Sequence, residues 1–265
     1  MLTEARPSWP APDPWDPRST GILYVTNCLI DQLTHRAPGN KRHHHTMRYE
    51  ALATDFDGTL AERGTVETTT LAALQRFRES GRRLILITGR ELDELLEVFP
   101  PVDRFDLVVA ENGGLLYQPQ SRKLELLGPS PPDAFVEMLK AQGVQPVSKG
   151  RVIVATWQPH AETVRSVIDS LHLDLEVILN KRAVMILPNG VNKASGLITA
   201  LAALELSPEH VVGIGDAEND LDFLRICGRA VAVANALPSV KAQCHAVTTN
   251  GHGAGVIELI EDILA

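Results

Sequence analysis

The stretch Ala53-Thr54-Asp55-Phe56-Asp57-Gly58-Thr59-Leu60 sets two carboxylates two residues apart at the end of an apolar run. The apolar run, Tyr49 to Thr54, reads as a strand that the chain leaves just before Asp55. Both acids then stand at the carboxyl end of a sheet, where open α/β folds bind their ligands. One carboxylate can attack phosphorus while the other moves a proton. Gly58 permits a tight turn whose amides can face phosphate oxygens. A turn that merely reverses the chain uses the same residue types, and the segments downstream decide between the two readings.

Outward from this stretch, short continuous apolar runs recur: Leu84 to Ile87, Leu107 to Ala110, Val211 to Ile214, Ala230 to Val233 and Ala246 to Thr248. Such runs read as strands buried on both faces. They alternate with segments of helical period, so the fold class is α/β with a mainly parallel, Rossmann-like sheet. Glu67 to Ser80 spaces Leu71, Leu74 and Phe77 as a helix, Gly81 supplies its left-handed stop, and a last helix covers about Val256 to Leu264.

From about Gly114 to Leu187 the rhythm changes. Leu115 to Tyr117 and Lys123 to Leu127 read as a hairpin, followed by helix Pro132 to Ala141, strand Arg151 to Thr156, helix His160 to Leu171, and strands Leu175 to Leu179 and Ala183 to Leu187. This is an inserted α+β unit at 114–187, splitting a core made of 47–113 and 188–265. Gly128-Pro-Ser-Pro-Pro132 reads as a rigid linker within it and Pro188-Asn-Gly190 as the return hinge.

Three further segments carry chemistry. Thr88-Gly89-Arg90 follows the second strand and precedes a helix, where a hydroxyl and free amides can hold a phosphate, or Thr88 can cap the helix. Gly190-Val-Asn-Lys193 opens another helix and would bring an ammonium to the same edge; a solvated surface lysine is the plainer alternative. Gly215-Asp216-Ala-Glu-Asn219-Asp220 crowds acids at a strand end. That crowding calls for a divalent cation, and Mg²⁺, which takes a few carboxylate oxygens and keeps sites for water and phosphate, suits Asp55, Asp216 and Asp220.

Composition bounds the rest. The chain has 265 residues, 44% of them hydrophobic, enough for a large core. A net charge of −8 offers no basic field for nucleic acid. The odd set Cys28, Cys227 and Cys244 argues against a disulfide framework. No apolar stretch reaches the roughly 18 residues of a membrane span, the Pro-rich first 20 residues do not read as a secretory signal, and the expected address is the cytoplasm. Residues 1–46 hold six of the 17 prolines and the basic run Lys41-Arg42-His43-His44-His45, and read as a tail outside the mechanism, with Met47 as an alternative start.

Taken together, Asp55-Phe-Asp57-Gly-Thr59, Thr88, Lys193 and Gly215-Asp216-Ala-Glu-Asn219-Asp220 resemble the four motifs of the haloacid dehalogenase (HAD) superfamily of phosphatases. The insert between the second and third motifs resembles the type IIB, or Cof-type, cap, in a layout similar to sucrose-phosphate and archaeal phosphoglycolate phosphatases. Glu111-Asn112-Gly113 resembles the turn at the entry to such a cap. The resemblance covers about 47–265.

It implies that Asp55 is the nucleophile of an aspartyl-phosphate and Asp57 the acid and base. Thr88 and Lys193, with Gly89, Arg90 and Asn219 nearby, would hold the phosphoryl group. Mg²⁺ would be bound by Asp55, the carbonyl of Asp57, Asp216 and, in support, Asp220. The implied partner is a small phosphorylated metabolite met by a monomer or homodimer. A phosphotransferase or mutase of the same superfamily, or a non-catalytic phospho-metabolite sensor, is the alternative. In the insert, Asn180-Lys181-Arg182 could meet a substrate carboxylate or second phosphate, and Trp157 and His160 a sugar; solvated charges at a hairpin tip and a packing tryptophan are the plainer readings.

Overall fold

The computed structural model describes residues 49–265, so the expectations for the tail, Met47, the histidine run and Cys28 lie outside the described residues. The chain runs β1 (Ala51–Asp55), α1 (Thr68–Glu79), β2 (Arg83–Ile87), α2 (Leu92–Val98), β3 (Leu107–Ala110), β4 (Leu115–Gln118), β5 (Lys123–Leu126), α3 (Asp133–Ala141), β6 (Ser148–Lys149), β7 (Val154–Trp157), α4 (Ala161–Ser170), β8 (Leu175–Asn180) and β9 (Ala183–Pro188). It continues through α5 (Lys193–Ala203), β10 (Val211–Gly215), α6 (Leu221–Ile226), β11 (Arg229–Ala232), α7 (Pro238–Lys241), β12 (Ala246–Val247) and α8 (His252–Leu264).

Eight strands form the large sheet in the order β12-β11-β10-β1-β2-β3-β4-β5. From β12 to β3 every neighbour is parallel. The apolar runs are buried on both faces because helices cover both, and every position in β1, β3 and β10 is buried. Helix α1 turns Ala73, Leu74 and Phe77 inward, and Gly81, at φ +87°, ends it. β1 lies between β10 and β2, with Thr54 beside Ile214 and Asp55 beside Ile87. That register puts three strand ends, at Asp55, Ile87 and Gly215, side by side.

The hairpin expected inside the insert belongs instead to the large sheet. β4 pairs antiparallel with β3, and β5 with β4. A tight turn at Glu111-Asn112-Gly113 sends the chain straight back along β3, and the apolar face of Leu115-Leu116-Tyr117 finds burial there. β5 closes the edge with every residue exposed and charges at Lys123 and Glu125, which blunts further pairing.

The second sheet, β6-β7-β9-β8, is wholly antiparallel. It has its own apolar cluster, with Phe135, Leu139, Val164 and Val167 from α3 and α4 packed on Val154, Val184 and Ile186. The strand expected over Arg151 to Thr156 is shifted to Val154–Trp157, and β6 precedes it. The shift follows from Glu111, whose carboxylate takes the amides of residues 151, 152 and 153 and so removes them from a ladder. Helix α8 starts at His252, four residues before the expected Val256. Gly253 and Gly255 pack so closely there that a Cβ would meet Thr70 Oγ1 and the Asn250 carbonyl at 2.4 Å each, and a side-chain pattern cannot register glycine.

Candidate active site

At the end of β1 the Asp55 carboxylate is buried and accepts a bond from Lys193 Nζ at 2.6 Å. Burial raises its pKa to about 8, the charge on Asp220 adds to this, and Lys193 pulls the other way. Lys193 reaches the site because Asn192 caps α5, accepting from the amides of Ala194 and Ser195 at 3.0 Å, while Ser195 Oγ answers the Asn192 amide. The cap fixes the first helical residue, and the Lys193 side chain runs inward with 1% exposure. Burial opposes its charge, but Asp220 and Asp55 outweigh burial and raise its pKa.

Asp220 takes the other hydrogen bond from Lys193 Nζ, also at 2.6 Å. Its second oxygen accepts the amides of Asp216 and Ala217 at 2.8 and 3.0 Å. Its carboxylate thus fixes both the lysine and the turn that presents Asp216. The turn comes this close only because residue 215 is glycine: a Cβ there would lie 2.7 Å from Asp220 Oδ2. Asp216 is buried, and burial raises its pKa. One of its oxygens faces the Thr59 hydroxyl at 3.4 Å and the other accepts from Lys181 at 2.8 Å.

Asp55, Asp216 and Asp220 bring oxygens within 4.8 Å of one another. Three buried carboxylates this close repel, and all are hard oxygen donors, so the set fits a Mg²⁺-sized cation. Asn219 stands beside them with a buried Oδ1 that has no partner among the described residues, and its Nδ2 donates to Asn112.

Asp57 sits at the mouth of the site, gripped by the Arg90 guanidinium in a two-pronged pair of 2.6 and 2.8 Å. The same arginine reaches Glu94, and the bond to Asp57 holds its own pKa up. Thr88 is buried with its hydroxyl accepting the Arg90 amide at 3.1 Å. It does not cap α2, whose N-cap is Glu91.

These groups open on a cavity of about 710 Å³ between the two sheets. Asp55, Asp57, Gly89, Arg90, Lys193, Asp216 and Asn219 line its floor. The small sheet supplies the roof, apolar at Val147, Ile153 and Met185 and basic at Lys181 and Arg182, with Trp157 half-exposed at the side. Ser148 bonds Glu91, and Arg151 pairs with Asp93 at 3.1 Å, so the roof is tied to α2 as well as to Asp216. Of the insert residues singled out from sequence, Asn180, Lys181, Arg182 and Trp157 line the cavity, and His160 stands at the start of α4.

Sequence reasoning missed the part played by Glu111. It is fully buried, takes a left-handed φ of +52°, and accepts the amides of Arg151, Val152 and Ile153 at 2.7–3.1 Å. An acid followed by Asn-Gly directly after a buried strand was the available signal, but its partners lie 40 residues on.

The sequence matches the haloacid dehalogenase-like hydrolase family over residues 52–146 and 151–260. The chain belongs to that family. Among curated HAD relatives, the phosphoglycolate phosphatase of Methanothermobacter thermautotrophicus is 33% identical over 219 residues, covering 79% of this chain and 96% of its own. A HAD-like hydrolase of Bacteroides thetaiotaomicron has a similar solved structure, with TM-score 0.69, 20% identity, and coverage of 81% and 99%. The HAD subclass IIB sugar phosphatase BT4131 is similar at TM-score 0.66 and 19% identity, covering 80% of this chain and 98% of its own. The α/β core with its mostly parallel sheet is thus the HAD fold, and the chain is a hydrolase.

Proposed function

We propose that this HAD hydrolase is a Mg²⁺-dependent phosphatase that cleaves the phosphomonoester of a small metabolite through an aspartyl-phosphate on Asp55. The observation that carries this reading is the gathering of Asp55, Asp57, Lys193 and Asp216 on the floor of one cavity. Lys193 holds one oxygen of Asp55 and so orients the other. That oxygen attacks phosphorus, the ester P–O bond breaks, and its electron pair leaves with the alcohol oxygen, which takes a proton from Asp57. Asp57, now a carboxylate, takes a proton from a water whose oxygen attacks the phosphorus of the aspartyl-phosphate. Inorganic phosphate leaves and Asp55 is restored.

Arg90 holds Asp57 by both oxygens and sets its direction. Asp216 and Asp55 would hold Mg²⁺, with Asp220 in support through Lys193 and the Asp216 turn, and the ion when bound would neutralise the crowded charge and take phosphate oxygens. Thr88 stands within the turn that presents Gly89 and Arg90. The unit built on the small sheet acts as the cap, closing water out and reading the leaving group. Relatives named phosphoglycolate phosphatase and a neighbour described as a sugar phosphatase make phosphoglycolate and sugar phosphates the first substrates to try.

The test is a phosphate-release screen over phosphorylated metabolites and an aryl phosphate, with Mg²⁺ and with chelator. Release that requires Mg²⁺ and is lost in Asp55→Asn is expected. No release from any ester would overturn the reading.

A further inference from the structure

Lys181 stands at the tip of the β8–β9 hairpin, on the small sheet, yet its ammonium bonds Asp216 of the large one at 2.8 Å. The partners are unlike: the Asp216 side chain is 3% exposed and that of Lys181 48%. The lysine can withdraw into solvent, whereas the carboxylate is fixed. Its backbone sits at φ +53°, as the first residue of the two-residue loop between Asn180 and Ala183. The oxygen it holds belongs to one of the three carboxylates whose oxygens cluster within 4.8 Å.

Two cations on one carboxylate repel each other. We propose that Lys181 and a divalent cation compete for Asp216, so that cation binding frees the hairpin tip and turns Lys181 toward an anionic group on the leaving half of the substrate. The cation half rests on the carboxylate cluster and the substrate half on the phosphatase reading above. Within the cavity the other acids are engaged, Asp55 with Lys193, Asp57 and Glu94 with Arg90, Glu91 with Ser148, so an anion that meets the released Lys181 there comes from the substrate. The substrate class this selects is a phosphomonoester carrying a second negative group, such as a carboxylate.

The experiment measures Mn²⁺ binding by electron paramagnetic resonance, without substrate, on the full chain, on Lys181→Met and Lys181→Gln, and on Arg182→Met as control, with circular dichroism to verify folding. Removing the competitor should tighten Mn²⁺ binding about fivefold, the equivalent of one half-exposed ion pair. Arg182→Met should leave it unchanged. Kinetics with Mg²⁺ should show KM for a carboxylated phosphomonoester rising about tenfold in both Lys181 variants, with KM for p-nitrophenyl phosphate unchanged.

Mn²⁺ binding equal to or weaker than wild type in the Lys181 variants overturns the competition. Equal KM changes for the two esters overturn the substrate half. Wild-type protein that binds no Mn²⁺ overturns the cation site itself and the competition with it. Protein that binds Mn²⁺ but cleaves no ester overturns the phosphatase reading and the substrate half, while the Mn²⁺ affinities still decide the competition.

Discussion

At the residue scale, Asp55 is a buried acid whose nearest neighbours are one lysine and two further acids. Its folded pKa near 8 lies above the 3.8 of an ordinary aspartate, so the folded chain keeps a proton that the unfolded chain releases. The stability from that proton is complete below about pH 4 and disappears as pH rises through about 8. In chelator, the melting temperature of the wild type should therefore fall between pH 5 and 8, and Asp55→Asn should flatten that fall while abolishing hydrolysis; a pH series of thermal melts and a phosphate assay check both. An equally steep fall in Asp55→Asn would show that another group titrates. Lys193→Met strips the counter-charge from both Asp55 and Asp220. Breaking one partner of a buried pair costs about 3–5 kcal/mol, and losing a positioned cation at phosphorus costs about 10²–10³ in kcat, so denaturant melts and turnover should both drop.

At the scale of elements, two joints place the site: the Asn192 cap that starts α5, and the turn Glu111-Asn112-Gly113, in which all three residues have positive φ. They meet, since a Cβ on Gly113 would lie 1.9 Å from the Asn192 carbonyl oxygen. Gly113→Ala should thus push α5 away, misplace Lys193 and cost at least about 3 kcal/mol, strain at φ +107° adding to the clash. Thermal melts and residual activity measure it, and a near-normal melt would show that the turn yields. The strands of the parallel core were legible because doubly buried strands write themselves as unbroken apolar runs. The β4–β5 hairpin was legible as strands but not by membership, since nothing local tells a strand which sheet to join. The place of Lys181 was hidden for the same reason: a hairpin-tip lysine looks solvated until a second sheet is laid above an acid.

At the scale of the whole molecule, the described residues form a large apolar cluster around the large sheet, a second under the small sheet and a third, small one of Ile153, Met185, Leu187 and Val191, and the cavity lies between the sheets. Asp55 and Asp216 are 161 positions apart in the chain and become neighbours only when β10 docks beside β1. A cation held by both binds the folded chain alone, so millimolar Mg²⁺ should raise the melting temperature by several degrees over chelator, about 2–4 °C for each kcal/mol of binding. Asp216→Asn should remove most of that shift; melts with and without Mg²⁺ decide it, and an undiminished shift would place the cation elsewhere. By itself the sequence determined the α/β class, the motif residues and their order along the chain, because strand burial and turn chemistry are written in local residue types. Only the tertiary structure decided which sheet the hairpin joins, that Asp220 spends both oxygens fixing Lys193 and the Asp216 turn, that Arg90 grips Asp57, and that Lys181 reaches Asp216. Each is a contact between distant segments, set by how sheets pack and where buried charges find partners.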